Sequence, residues 1–387
     1  MDFAINPEVA AFAAEVREFL AEHLTGEMRR RMHRTGTNHD WDLHRAIAAR
    51  GWIAAALPGS PHARDPFEMA VLFRELELAD APYHGLSVTM LAAGVLQQVG
   101  SEELRAKVLP QILAGNALVC LGYSEPDHGS DVAAASTRAI PDDEAHSTWT
   151  ISGQKMWTTL AHIAQHVLLL TRTDPDVPKH RGLTMFLVPL ETPGITVQAV
   201  HTISGDRTNV TFYDDVIVGD ECRVGDVNGG WRVMGVALAL ERGVMGGTAL
   251  GEVLWRAARA WAADTGVLDR PRVRDLLART RIDVEVAWLL AQHTAWIAAS
   301  GASPSIEGSM TKLFASETYQ RAAREWQDLA GAAGLLDMDA EGALAGGVFE
   351  RAARHAPLTT IYGGTSEIQR NNIAERHLGL PSTRGGR

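Results

Sequence analysis

Three short stretches hold more hydroxyls, glycines and paired charges than a scaffold requires. The first is Tyr123-Ser124-Glu125-Pro126-Asp127-His128-Gly129-Ser130-Asp131-Val132, a polar loop leaving an apolar strand, with hydroxyls at Ser124 and Ser130. The second is Gly153-Gln154-Lys155-Met156-Trp157-Thr158-Thr159. The third runs from Ile361 to Arg370, where Gly363 and Gly364 precede a helix capped by Thr365 or Ser366. The first amides of such a helix converge on one spot and can hold an anion such as a phosphate. Taken singly, each stretch also has an ordinary structural use, as a helix cap or as sheet packing around Trp157.

These stretches need elements to position them. A chain of 387 residues has room for two or three domains and a large core. From Ile140 to Gly235 it holds only four alanines, Ala145, Ala161, Ala164 and Ala199, while both flanks are rich in them. Alanine favours helix, so the chain reads helix, then sheet, then helix. Asn6-Pro7-Glu8 opens a helix with Val9, Phe12, Val16, Phe19 and Leu20 on one face. Asp65-Pro66 and Ser101-Glu102-Glu103 open two more, and the nearly uncharged segment from His84 to Val99 reads as a buried helix. In the middle, Trp149 to Ile151 and Lys155 to Thr159 read as a hairpin turning at Ser152-Gly153. Further strands are expected over 167–170, 183–188, 195–200 and 210–213. Beyond Asn228, helical spacing over 231–263, 273–299, 304–331 and 340–356 suits a four-helix bundle. Trp255, Trp261, Trp288 and Trp296 recur within it as core positions. The expected division is an all-α domain over 1–117, a β-sandwich or barrel over 118–227 and a bundle over 228–387.

Composition excludes several classes. Against 47 acidic residues stand 36 basic ones, a net charge of −11, which leaves no broad face for nucleic acid. Cys120 and Cys222 make neither a disulfide framework nor a metal spacing, and a reducing cytoplasm is expected. No apolar run reaches membrane-spanning length, and the acidic opening Met1-Asp2-Phe3 is unlike a targeting segment.

Together and in this order, the three stretches resemble the signatures of the acyl-CoA dehydrogenase family. These are Thr/Ser-Glu-Pro followed after two residues by Gly-Ser-Asp, then Gly-Gln-Lys-x-Trp-x-Thr, then Gly-Thr-Ser-x-Ile-Gln-Arg. They are matched here by Ser124 to Asp131, Gly153 to Thr159 and Gly364 to Arg370. The resemblance implies FAD as cofactor and α,β-dehydrogenation of an acyl-CoA or acyl-carrier thioester. It places Tyr123, Ser124, Thr158 and Thr159 at the flavin ring, with Trp157 stacked near it, and Ser130 on the acyl-CoA. Thr365 and Glu367 would lie at the ribityl-pyrophosphate end. Gln327 and Gly331, in a Gln-x-x-x-Gly pattern, would touch FAD of a neighbouring subunit.

Two departures carry information. Many members have a catalytic glutamate immediately before Gly-Thr-Ser, where this chain has Tyr362-Gly363-Gly364-Thr365. A smaller group places it in the first long helix of the bundle, in a Glu-Arg pair. Here Leu240-Glu241-Arg242-Gly243 stands at that point, so Glu241 is the expected base, with Arg242, Tyr362 and Gly363 around the substrate. The Arg-x-x-Phe-Gly motif that many members direct at FAD across a subunit interface is absent, and spacing selects none of Arg270, Arg272 and Arg274 to replace it. A homodimer or homotetramer and a heteromer with a related subunit therefore both remain open, with an electron-transfer flavoprotein as the expected electron acceptor. Two other readings fit the same fold: a flavin monooxygenase or oxidase, and a half-site subunit that needs a partner.

Overall fold

The computed structural model describes residues 6–57, 59–244 and 247–382, the side chains of 242–244 and 305 excepted. Its N-terminal part is helical: α1 (Pro7–His23), α2 (Gly26–Thr35), α3 (Trp41–Ala49), α4 (Pro66–Leu78), α5 (His84–Val99) and α6 (Glu102–Leu113). The Asn6 side chain accepts the Glu8 N–H, and Phe12, Val16, Phe19 and Leu20 are the buried face of α1. Asp65 and Glu68 cap α4 reciprocally. The segment from His84 to Val99 forms the buried α5, as its lack of charge requires. α2 and α3 were not expected. α2 buries only Met32, so it carries no apolar stripe, and its ends are declared by the Thr25 cap and by Gly36 in the left-handed region.

The middle strands are β1 (Val119–Gly122), β2 (Arg138–Pro141), β3 (Thr148–Lys155), β4 (His166–Arg172), β5 (Leu183–Pro189), β6 (Ile195–His201), β7 (Arg207–Gly219) and β8 (Arg223–Val224). They form one sheet in the order β6-β7-β3-β2-β4-β5-β8, with β1 parallel to β4. The hairpin expected at Ser152-Gly153 is not formed. β3 runs straight through that dipeptide, between β2 and β7, with a register shift between Ile151 and Gly153. Gly153 is needed for close approach: a Cβ there would lie 2.7 Å from the Cα of Thr137.

The C-terminal helices are α7 (Gly230–Val244), α8 (Leu250–Asp264), α9 (Pro271–Ala299), α10 (Ser305–Ala330), α11 (Val348–Thr359) and α12 (Ser366–Arg376). The single helix expected over 231–263 is two. The buried Glu77 carboxylate of α4 accepts the N–H groups of Gly247 and Ala249 and the Tyr83 hydroxyl, which fixes the break between α7 and α8. α11 begins later than expected because Gly346 and Gly347 have positive φ. Leu254, Trp326 and Phe349 centre the bundle core, and Trp261 packs on them edge-on. The other three tryptophans are not core. Trp255 lies between Arg259 and Arg281, Trp288 lies under Arg74, and Trp296 is 43% exposed. α7 packs closely on α5, where a Cβ at Gly94 would lie 2.8 Å from Leu240 Cδ1, and this contact sets the position of the next residue, Glu241.

Candidate active site

The first two stretches meet through a buried ion pair. Lys155, at the end of β3, is fully buried, and its Nζ donates to Glu125 Oε1 at 2.8 Å and to the Tyr123 carbonyl at 3.3 Å. Glu125 also accepts the N–H groups of Ser136 and Thr137 and the Ser136 hydroxyl. Burial alone would raise the Glu125 carboxyl. The Lys155 ammonium and the hydrogen bonds outweigh it and hold the carboxyl at about 2, whereas burial brings Lys155 down to about 8. Both charged groups are hydrogen-bonded, the condition under which a buried pair is tolerated. The Met156 N–H then donates to the Ser124 carbonyl, closing the link.

Past this junction the chain leaves the sheet. Trp157 takes φ of 62° and leaves its indole 53% exposed. Thr158 is buried, its N–H donating to the Asn209 carbonyl and its own carbonyl accepting from the Asn209 side-chain amide, and the Thr159 hydroxyl lies 3.0 Å from that of Thr208. Ser124 is half-buried and Ser130 exposed. His128 closes the turn by exchanging backbone bonds with Glu125.

The third stretch is held from below. Gly363 and Gly364 have φ of 63° and 84°, a conformation that excludes most side chains. Gln369 Nε2 donates to both of their carbonyls, and Lys312 Nζ of α10 donates to the Gly364 carbonyl at 2.7 Å. The Thr365 hydroxyl accepts the Ile368 N–H and so caps α12. Glu367 lies exposed in the first turn of that helix, and its carboxyl is lowered by its own backbone N–H and by Thr365. Tyr362 is 41% exposed.

Glu241 reaches this third stretch from α7. A Cβ at Gly363 would lie 3.3 Å from Glu241 Oε1, so the two alternative positions for a base converge on one point. The side chain of Arg242 lies outside the described residues. Gln327 lies in the last turn of α10, roughly 22 Å from Lys312 at the rise of an α-helix, and Gly331 follows the helix end. They are thus remote from the Gly364 turn of the same chain. Arg270, Arg272 and Arg274 are exposed at the start of α9.

Lys312 was not singled out from sequence, since it belongs to no recognisable spacing with its partner, and Gln369, the Gln of the third signature, was given no role of its own. One signal existed for Lys312: the chain has only the lysines 107, 155, 179 and 312 among its 36 basic residues. Burial lowers Lys312 to about 8 against the pull of Glu241, Glu317 and Glu367.

The donor set suits FAD. An uncovered indole beside two hydroxyl-bearing loops gives an aromatic platform with polar edges. A Cβ at Gly129 would meet nothing within 4 Å, which leaves space above the first loop. No group of three or more His, Cys, Asp or Glu suited to a metal occurs among the described residues.

Comparison with known proteins agrees with the fold and the order of these elements. The chain matches the N-terminal domain of acyl-CoA dehydrogenases over residues 6–116, the middle domain over 120–216 and the C-terminal domain over 228–378. It belongs to the acyl-CoA dehydrogenase family, enzymes that are FAD-dependent flavoproteins. Among its relatives is acyl-CoA dehydrogenase FadE26 of Mycobacterium tuberculosis, 31% identical over 98% of this chain and 99% of that one. Acyl-CoA dehydrogenase IpdE1 of Mycolicibacterium smegmatis is 32% identical over 97% and 98%. Of solved structures, the Tcur3481-Tcur3483 steroid ACAD superposes with a TM-score of 0.91 at 31% identity, covering 99% of this chain and all of that one. The ChsE4-ChsE5 complex from Mycobacterium tuberculosis gives 0.87 at 32%, again over 99% and 100%. No described helix is long and apolar enough to cross a membrane.

Proposed function

We propose that this acyl-CoA dehydrogenase uses Glu241 as its base and belongs to the group that carries the base on the first bundle helix. The observation that carries the reading is the 3.3 Å between Glu241 Oε1 and the Cβ position of Gly363. The carboxylate stands where a side chain at the usual position would begin, and glycine leaves it room.

The chemistry asks little else of the chain. Glu241 takes the α-proton of the acyl thioester, the β-hydrogen leaves as hydride, and a carbon-carbon double bond remains. FAD, when bound, supplies the hydride acceptor. Lys312 holds the Gly364 carbonyl and places a positive charge near Glu241. The Ser124, Trp157 and Thr159 region receives the flavin, and Ser130 lies on the side assigned to the acyl-CoA.

Assembly follows from the separation of motifs. Gln327 and Gly331 lie far from the Gly364 turn of their own chain, which supports their use on a neighbour's cofactor. α9 also exposes Ile282, Leu289 and Trp296 at seven-residue spacing, a face suited to another chain. The neighbours named as the Tcur3481-Tcur3483 and ChsE4-ChsE5 pairs favour a heteromer with a related subunit. The steroid-directed member makes a bulky ring-bearing thioester the first substrate to try, with an electron-transfer flavoprotein as acceptor.

The test is anaerobic reduction of the purified flavoprotein, co-expressed with a related subunit where it is colourless alone. Acyl-CoA should bleach the flavin, and Glu241→Gln should slow the bleaching by about 10³-fold or more, since the proton has no other acceptor. Bleaching by Glu241→Gln at the native rate would reject the assignment.

A further inference from the structure

Tyr123 follows β1 directly, and its backbone is committed to joining the first two motifs, its carbonyl accepting from Lys155 Nζ. Its phenol is not committed to anything. The hydroxyl oxygen is buried and has no hydrogen-bond partner. Two other tyrosines of the chain are paired: Tyr83 donates to Glu77 at 2.6 Å, and the Tyr213 hydroxyl lies 3.1 Å from that of Thr211. A buried O–H without an acceptor is costly, and a slot meant only for methylenes would be better lined by Phe, Leu or Met.

The position of the ring says what the missing acceptor is. Tyr123 packs against the core of the helical domain, as does Leu240, the residue before Glu241. Burial first, and then the charge of Glu241, push the phenol up, so it remains a neutral donor at working pH and lies within the field of that carboxylate. With Glu241 as the base, a donor that feels its charge would share the slot with the acyl group.

We propose that Tyr123 is a specificity residue whose hydroxyl donates to an oxygen on the acyl group. The preferred substrate is then a CoA thioester carrying a keto or hydroxyl oxygen within a few bonds of the α-carbon, not a plain hydrocarbon chain. The position of that oxygen rests on Glu241 being the base. A site that keeps a donor for a substrate oxygen discriminates against the analogue lacking it, because the donor is then left unpaired.

Binding separates this proposal from the catalytic one. The holoenzyme bearing Glu241→Gln, which holds ligand without turning it over, is titrated with octanoyl-CoA and with octanoyl-CoA carrying one keto group at the γ, δ or ε carbon. At one or more positions the keto ester should bind more tightly than octanoyl-CoA, and adding Tyr123→Phe should remove about ten- to hundred-fold of that preference. The ligand-free Tm should hold or rise in the phenylalanine variant, because an orphaned hydroxyl has gone. A preference that moves less than about twofold at every position, or a native slot that favours octanoyl-CoA throughout, overturns the proposal. Flavin bleaching by Glu241→Gln would overturn the base assignment instead, and the binding ratio would still decide Tyr123.

Discussion

A methyl group at Gly363 would have to share space with the carboxylate of Glu241. The position also has φ of 63°, where an L-residue is strained by about 1 kcal/mol. Gly363→Ala should therefore press on Oε1 from 3.3 Å and turn the base away from the α-carbon. Flavin reduction by a saturating thioester should slow by about ten-fold or more, with a Tm loss of a few degrees, because misplacement costs rate more than it costs stability. Stopped-flow bleaching and a melting curve measure both; an unchanged reduction rate would mean that Glu241 is held elsewhere during catalysis. Glu241 was legible in the sequence because two local signals agreed, a Glu-Arg pair on a helix and a glycine where a glutamate usually stands. Lys312 was not, since its role depends on one carbonyl 52 residues away. The unpaired Tyr123 hydroxyl was not legible either, since sequence identifies a phenol but not the lack of an acceptor.

At the scale of elements, the Lys155–Glu125 pair ties the loop after β1 to the end of β3, and through it Ser124 to Trp157. Lys155→Met removes one charge and leaves the other buried, which should cost about 3–5 kcal/mol and loosen both flavin-facing loops. The double variant Lys155→Met, Glu125→Gln should recover part of that stability, because no uncompensated ion remains. Urea unfolding gives the first quantity, and release of FAD on dilution gives a second that a purely structural pair would not move. A single variant as stable as the native protein would show that Glu125 finds water. The same region shows why element boundaries were the least legible feature. Ser152-Gly153 carries a turn signature, but it serves a close approach to Thr137 within a continuous strand, a tertiary need that composition does not display. The break between α7 and α8 is likewise invisible locally, because Glu77 of another helix imposes it.

Across the whole molecule, histidines stand where the parts meet. His162 of the sheet region pairs with Thr37 of the helical region at 2.9 Å, and His355 of α11 lies 4.0 Å from Asp206 in the β6–β7 turn. His33 joins Asp80 to Arg351. Behind the first junction, His39 and His44 are buried against each other and Trp41, and none of their ring nitrogens has a partner. Burial first, then His44 and Arg45, lower His39 to about 3, and burial with Arg45 lowers His44 to about 4. Burial also lowers His162 to about 4, with Arg207 adding to it. In the unfolded chain these imidazoles accept a proton near their ordinary value of about 6.5. Below that pH the unfolded state binds more protons than the folded one, so stability is complete above it and is lost as pH falls toward the folded values. His39 and His44 each contribute a slope of about 1.4 kcal/mol per pH unit in that window. The carboxylates of Glu125 and Asp80 do not enter it: both are held below their ordinary values by their partners, so their stabilisation is lost only in stronger acid. Tm should accordingly fall steadily between pH 7 and pH 5, above the range where Glu125 and Asp80 titrate. His39→Phe with His44→Leu, two apolar groups in an apolar setting, should flatten that decline while leaving Tm at pH 7.5 within a few degrees of native. A double variant whose Tm falls as steeply as the native protein's would place the acid sensitivity at the junction histidines, His162 and His355, instead of in the buried pair.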